Sequence, residues 1–480
     1  MFTENKTSTL QGQTRLLRIS ALLGRFEIDR AVAFGILDRI WRLIAGPVTA
    51  VLVAAWFTPE LQGYYYAFAS LLALQVFVEL GLGTVIIQFA SHEWSKLDLD
   101  SSGRIVGDKN SLSRLISLAR FTAVWYLVGA FVLTIGLVVV GYFFFSQSHD
   151  NAVDWLMPWL SLSILTGITI CLVPLWSLLE GCNQVARVYA FRFIQGLCIH
   201  LSIWIAILSG AKLWAASVSS IVGLLVTTAL LLARYWPFVK NLFFVRPAGP
   251  RIKWRDEVLP MQWRIALSWL SGYFTFSLFI PVLFHYHGPV IAGQMGMTWS
   301  LVSVVSSLSF VWVNPKAPRF GMLVAQKRYQ ELDRLLWRLV VIVSAVAALC
   351  STALWGLVFL LYALNHPLSS RLLAPLPTAL FLLATVIMVF SFPFSTYLRA
   401  HKKEPILILS VITAILIAAS NLVLGKYFSA NGMAVGYLAV TAIIIPFVIL
   451  IWHRCRAAWH GEPVDAVQQT RCPVVILSDS

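Results

Sequence analysis

Residues 121–145 read FTAVWYLVGAFVLTIGLVVVGYFFF, an unbroken run without a charged side chain. As a helix rising about 1.5 Å per residue, this run is about 37 Å long, enough to cross the roughly 30 Å hydrocarbon core of a bilayer. It has eleven companions. Working outward, a membrane-length window finds apolar spans over Gly35–Phe57, Tyr64–Ala90, Phe121–Phe145, Trp155–Leu179, Val188–Ser209 and Leu213–Trp236. A second group covers Gln262–Phe284, Val290–Val313, Leu335–Leu361, Pro377–Leu398, Ile406–Tyr427 and Met433–Trp452. Of the 480 residues, 59% are hydrophobic and only 12% charged, against about 25% charged in soluble proteins. That balance excludes a water-soluble enzyme, a disordered chain and a disulfide scaffold. The expected fold is an all-α polytopic membrane protein of about twelve helices.

The net charge of +15 would suggest nucleic acid in a soluble chain, but here its distribution explains it. Of the 36 Lys and Arg, 28 fall in the N-terminus, in the segments after even-numbered spans (counting Arg234, at the final turn of span 6) and in the tail. Only Lys212, Arg371 and Lys426 lie on the other side, and Arg39, Arg42, Arg192, Arg264 and Arg338 lie within spans. The positive-inside rule then places both termini and the long basic loops in the cytoplasm, with no nucleic-acid partner implied. Residues 1–34 lack a signal-peptide core. Arg15, Leu16, Leu17, Arg18, Ile19, Leu22, Leu23, Arg25 and Phe26 have the pattern of a basic amphipathic helix at the membrane surface; a disordered leader fits as well. The six cysteines show no metal spacing, so no metal site is expected.

The loops repeat a rhythm. Long basic loops join spans 2–3 and 8–9, short ones join 4–5 and 10–11, and a basic linker over 237–260 separates two groups of six. The expected organisation is an N-lobe over 35–236, a linker over 237–260, a C-lobe over 261–452 and a tail over 453–480. Gly63, Ser70 and Leu71 recur as Gly293, Ser300 and Leu301, and Pro174 and Leu179 as Pro393 and Leu398. Repeats related by an axis along the membrane normal place substrate at their interface.

Chemistry is sought first among the ionisable residues inside spans, each costing about 2.5–3.5 kcal/mol to insert. Arg39, Arg42, Arg192, Arg264 and Arg338 all lie near the start of odd-numbered spans, at the depth of lipid phosphates. A guanidinium fork suits phosphate oxygens. Snorkelling to ordinary headgroups is the alternative. Asp38 stands four residues before Arg42, so the two can neutralise each other, whereas Arg192 and Arg264 have no acid at helical spacing. Glu79 lies near the middle of span 2, in Phe77-Val78-Glu79-Leu80-Gly81-Leu82-Gly83. It reads either as a coupling-ion carboxylate or as a hydrogen-bonding partner for another helix, with glycines that permit bending or close approach. Pro174 and Pro393 are candidate hinges. No Walker A pattern and no sizeable soluble domain is present, so a transporter rather than an enzyme is expected.

Several of these stretches resemble one family. Leu37-Asp38-Arg39-Ile40-Trp41-Arg42, Leu61-Gln62-Gly63-Tyr64-Tyr65-Tyr66, Glu79-Leu80-Gly81-Leu82-Gly83, Gln262-Trp263-Arg264-Ile265-Ala266-Leu267-Ser268 and Ala292-Gly293-Gln294-Met295-Gly296 are similar to Wzx-like oligosaccharide flippases. These belong to the multidrug/oligosaccharidyl-lipid/polysaccharide exporter superfamily. The resemblance implies two six-helix lobes around a central cavity in a bacterial inner membrane. It implies ion-coupled movement of an undecaprenyl-pyrophosphate-linked glycan from the cytoplasmic to the periplasmic leaflet, for surface polysaccharide biosynthesis. A proton or sodium gradient would drive it, without a cofactor, and membrane lipids, a polysaccharide polymerase and chain-length proteins are the implied partners. On this sequence the substrate-binding residues would be Arg42, Arg264, Arg192 and Arg39, and the coupling carboxylates Glu79 and Asp38. The rivals are a small-molecule or drug antiporter of the same superfamily and a membrane glycan ligase or polymerase.

Overall fold

The computed structural model describes residues 30–147, 153–245, 249–401 and 403–460. The expected surface helix around Arg15–Phe26 and the tail beyond residue 460 lie outside the described residues.

Every expected span is helical. The chain runs through α1 (Arg30–Trp56), α2 (Pro59–Leu72), α3 (Val76–Glu79), α4 (Leu82–Trp94), α5 (Lys109–Ser146), α6 (Leu156–Ile170), α7 (Val173–Gly181), α8 (Val185–Leu208) and α9 (Trp214–Phe244). It continues through α10 (Leu259–Phe276), α11 (Phe279–His287), α12 (Pro289–Phe310), α13 (Ala317–Ala325), α14 (Tyr329–Ala363), α15 (Pro375–Ala400) and α16 (Leu407–His460). Among the described residues ten helical stretches are long and apolar enough to cross a membrane. The chain is a polytopic membrane protein. Two differences separate ten from twelve. α1 is not counted among the ten. The 54-residue α16 is a hairpin rather than one rod: Ser429 has φ 55 and ψ −146, and a Cβ on Gly436 would strike Ser420 Oγ while one on Gly425 would strike Met433. Its two arms therefore lie side by side, as the separate spans 406–427 and 433–452 require.

Local chemistry sets the helix starts. Thr58 caps α2 by accepting from Leu61 N at 3.3 Å, with Pro59 in the first turn. Asp108 caps α5 by accepting from Ser111 N at 2.9 Å. Such caps satisfy amide groups that the helix itself cannot. One element was not expected from the sequence: a small antiparallel hairpin, β1 (Leu97–Leu99) with β2 (Ile105–Gly107), in the basic loop between spans 2 and 3. Its turn is closed by Asp100 Oδ1, which accepts from the backbone amides of Ser102 and Arg104. Those bonds, and above all the one that the Ser102 hydroxyl donates to the same oxygen at 2.7 Å, hold the Asp100 carboxyl below the usual aspartate range.

Three spans are broken within the membrane stretch. Span 2 breaks at Leu80–Gly81, span 4 at Cys171–Leu172 and span 7 at Ser277–Leu278. Span 8 ends at Phe310, and a short turn leads into α13. The two candidate hinges differ. Pro174 opens α7 immediately after the break in span 4, whereas Pro393 sits inside the continuous helix α15.

Candidate functional site

The break in span 2 has an unusual backbone. Leu80 (φ 45) and Gly81 (φ 69) are both left-handed, which costs a non-glycine residue roughly 1–2 kcal/mol. Breaking a helix in a membrane also strands carbonyl groups that water cannot reach. Side chains from two other helices take them up. Trp125 Nε1, from α5, donates to Val78 O at 3.0 Å, and Gln262 Nε2, from α10, donates to Leu80 O at 2.8 Å. Glycine is required at 81 for a second reason. A Cβ there would lie 2.4 Å from Ile265 and 2.8 Å from Trp269, both on α10.

Glu79 is the last residue before this break. It is half-buried and has neither an ion pair nor a hydrogen bond among the described residues. It lies within electrostatic reach of Tyr126, whose fully buried hydroxyl has no hydrogen-bond partner among those residues either. Bending and close approach, the two uses expected of the neighbouring glycines, thus occur together at Gly81.

The five span arginines stand on four helices with different surroundings. Arg42 Nε donates to both carboxylate oxygens of Asp38, at 3.1 and 3.0 Å, while 59% of its side chain stays exposed. Asp38 is much less exposed and faces α8, where its Oδ1 lies 3.6 Å from where a Cβ on Gly196 would be. The expected neutralising pair is present. Arg264 is exposed, with its guanidinium 5.5 Å from the Trp263 ring centroid, and makes no ion pair among the described residues. Arg39 and Arg338 are likewise exposed without an ion pair among those residues.

Arg192 departs from the expectation that its charge is available. Its Nη2 lies 2.5 Å from Glu180 Oε1, at the end of α7, an ion contact without hydrogen-bond alignment. A spacing rule applied along one helix could not find an acid delivered by the neighbouring one.

Sequence reading also missed a three-residue clamp. Arg114 Nε donates to Glu93 Oε1 at 2.7 Å, and its Nη2 donates to Glu257 Oε2 at 2.6 Å. It joins the end of α4, the start of α5 and the turn that precedes α10. Gln62 and Arg371 were missed as well. Gln62 was quoted only within a motif, and Arg371 only as a charge on the sparse side. Among the described residues no group of three or more His, Cys, Asp or Glu is placed to hold a metal ion.

The two halves of the chain meet where α2 packs on α12. Gly63 and Gly293, matched above as repeat positions, touch each other: a Cβ on Gly293 would lie 2.8 Å from Gly63 N. Ser70 Oγ donates to Ser277 O at 2.6 Å, at the break in span 7. The overall fold has counterparts among solved structures. The chain aligns with an inward closed conformation of the lipid II flippase MurJ at TM-score 0.56 and 13% identity, over 89% of this chain and 90% of that one. The chain shares its fold with that protein. The MATE multidrug transporter DinF-BH aligns at TM-score 0.56 and 14% identity, over 89% and 95%. An inward-facing MATE family multidrug resistance transporter of the MOP superfamily aligns at TM-score 0.53 and 13% identity, over 89% and 95%. No family model matches the sequence and no curated protein matches it; at these identities the likeness is one of fold.

Proposed function

We propose that this chain is an ion-coupled, alternating-access transporter whose cargo is an anionic lipid-linked oligosaccharide. The reading takes the chain as twelve crossings in two six-helix lobes around a cavity, with both termini in the cytoplasm. The observation that carries it is the broken span 2. It is a discontinuous helix whose freed carbonyls are capped from both halves, next to a carboxylate without a counter-charge, in a fold shared with known transporters. Transporters use such interrupted helices as binding and coupling sites.

In the mechanism, the exposed guanidinium of Arg264 and the outer face of Arg42 hold phosphate oxygens of the cargo at the cytoplasmic mouth. Asp38 orients Arg42 through Nε, while Glu180 holds Arg192. Glu79 takes up and releases the coupling proton or sodium ion as the lobes rock. The polyprenyl tail stays in lipid. An undecaprenyl-pyrophosphate-linked glycan for surface polysaccharide assembly fits this chemistry, and polymerase and chain-length proteins would receive it on the far side.

The decisive experiment follows leaflet exposure of a polyprenyl-pyrophosphate oligosaccharide in vesicles containing the purified protein, with and without a proton or sodium gradient. Gradient-dependent movement that Arg264→Ala abolishes supports the reading. Absence of movement for folded protein overturns it.

A second reading, antiport of small organic cations, is favoured by the comparisons themselves, since two of the three structures named are multidrug transporters. Against it stands charge: the spans carry more arginine than acid, and cations prefer acidic cavities. A dye-efflux assay on the same vesicles separates the two.

A further inference from the structure

At the contact between α2 and α12, two polar side chains tie the halves together. Gln62 is 1% exposed. Its Nε2 donates to Gly293 O at 2.9 Å and to Arg371 O at 3.0 Å. Arg371 closes the short 3-10 turn Pro367–Arg371, and its Nη2 donates to Phe57 O at 2.6 Å. That turn belongs to the second half. Gln294 Nε2 donates to Ser370 O at 2.9 Å, and Leu373 N donates to Thr298 Oγ1 at 3.0 Å, fixing it to α12. Phe57 and Gln62 belong to the first half, so each of these bonds from Gln62 and Arg371 crosses between halves. The approach is close because Gly63 lacks a side chain. A Cβ there would lie 2.0 Å from Pro289 O.

The tie is incompletely satisfied. Gln62 Oε1 and Arg371 Nη1 are both buried without a hydrogen-bond partner among the described residues. A buried polar atom left unpaired loses its water without recompense, and most native joints avoid this. Separating the halves at this end would return both atoms to solvent while breaking the bonds named above and parting Phe284 from the rings of Tyr64, Phe144 and Phe145. The contact therefore combines specific attraction with a built-in penalty for staying shut.

We propose that Gln62 and Arg371 form a releasable clasp that holds the two halves together at the end of the molecule bearing Phe57 and Pro289. The two unpaired atoms keep the closed state only marginally favoured, so that this end opens during each transport cycle. The clasp's role in a cycle rests on the alternating-access reading, but its effect on opening is measurable without cargo or gradient.

The test is thiol labelling of the full-length protein carrying Met297→Cys, with the parent protein as the blank for native cysteines. Met297 is 3% exposed, with its sulfur 3.8 Å from Gln62 Nε2, so a water-soluble maleimide reaches this position only when the contact opens. Gln62→Leu and Arg371→Leu should each speed labelling, and the double variant should label about tenfold faster or more, equivalent to a shift of about 1.4 kcal/mol. Gly63→Val, which cannot close, sets the fully open rate, and size-exclusion profiles report folding. Arg371→Lys, which keeps a donor for Phe57 O, should label slowly. Double-variant labelling at the unsubstituted rate, with Gly63→Val fast, would overturn the clasp. So would equal rates for Arg371→Lys and Arg371→Leu. Faster labelling in vesicles that move no cargo would overturn the transport reading and leave the clasp standing.

Discussion

Leu80 and Gly81 show how single residues carry conformational cost in this chain. Both are left-handed, and only Gly81 is also pressed against a neighbouring helix. Gly81→Ala therefore adds two penalties, positive-φ strain and a methyl group 2.4 Å from Ile265. Backbone strain of this kind is worth about 1–3 kcal/mol. The expected result is a lower melting temperature and a severe loss of transport, measured by thermal shift and by the vesicle assay. Unchanged melting would mean that the break is not populated. Asn421 is the opposite case. It is fully buried on the first arm of α16, and neither its amide nitrogen nor its oxygen has a hydrogen-bond partner among the described residues. Leaving such groups unpaired costs about 1–3 kcal/mol each. Asn421→Leu should raise the melting temperature of the detergent-solubilised protein. A fall instead would show that the amide is satisfied in the working molecule.

Among elements, the Glu93–Arg114–Glu257 clamp joins α4, α5 and the turn before α10. Glu93 has 6% of its side chain exposed and Glu257 has 32%, so the two arms differ in worth. Arg114→Met leaves a buried carboxylate without its partner, a change that costs about 3–5 kcal/mol. Glu257→Gln removes a partly solvated arm and should cost about 1 kcal/mol or less. Thermal unfolding of both variants checks the ranking; equal losses would show that Glu93 does not depend on Arg114. Elements were also where sequence reading divided most sharply. The spans were legible because insertion needs a long uncharged run, as Phe121–Phe145 shows. The break in span 2 was half legible, since Gly81 and Gly83 hinted at bending next to Glu79. The break at Ser277–Leu278 left no such mark, because it depends on contacts such as the Ser70–Ser277 bond, far apart in sequence. The same limit hid Glu180 behind Arg192 and Arg371 behind Gln62. The Asp38–Arg42 pair, four residues apart on one helix, was legible in full.

At the scale of the whole molecule, the repeat spacing and the charge distribution bear on one question, the sign of the cargo. The offset that relates Gly63 to Gly293 also carries Leu80, at the break in span 2, onto Phe310, where span 8 ends. Gly63 and Gly293 touch each other, as the proposed two-fold relation between the halves requires. On the proposed topology, the arginine-bearing starts of α1, α8, α10 and α14 then face one side, together with most of the 36 basic residues. A concentrated positive field speeds the encounter of anions and slows that of cations, and salt weakens both effects. From about 0.01 M to about 0.1 M ionic strength the screening length falls from about 30 Å to about 10 Å. Initial capture of a phosphate-bearing amphiphile by the reconstituted protein should therefore slow across that range, and Arg264→Ala should flatten the dependence. An organic cation carried by the same protein should be captured faster as salt rises. Observation of that second pattern with a transported dye, and no salt effect on the anionic lipid, would turn the assignment towards antiport of small cations.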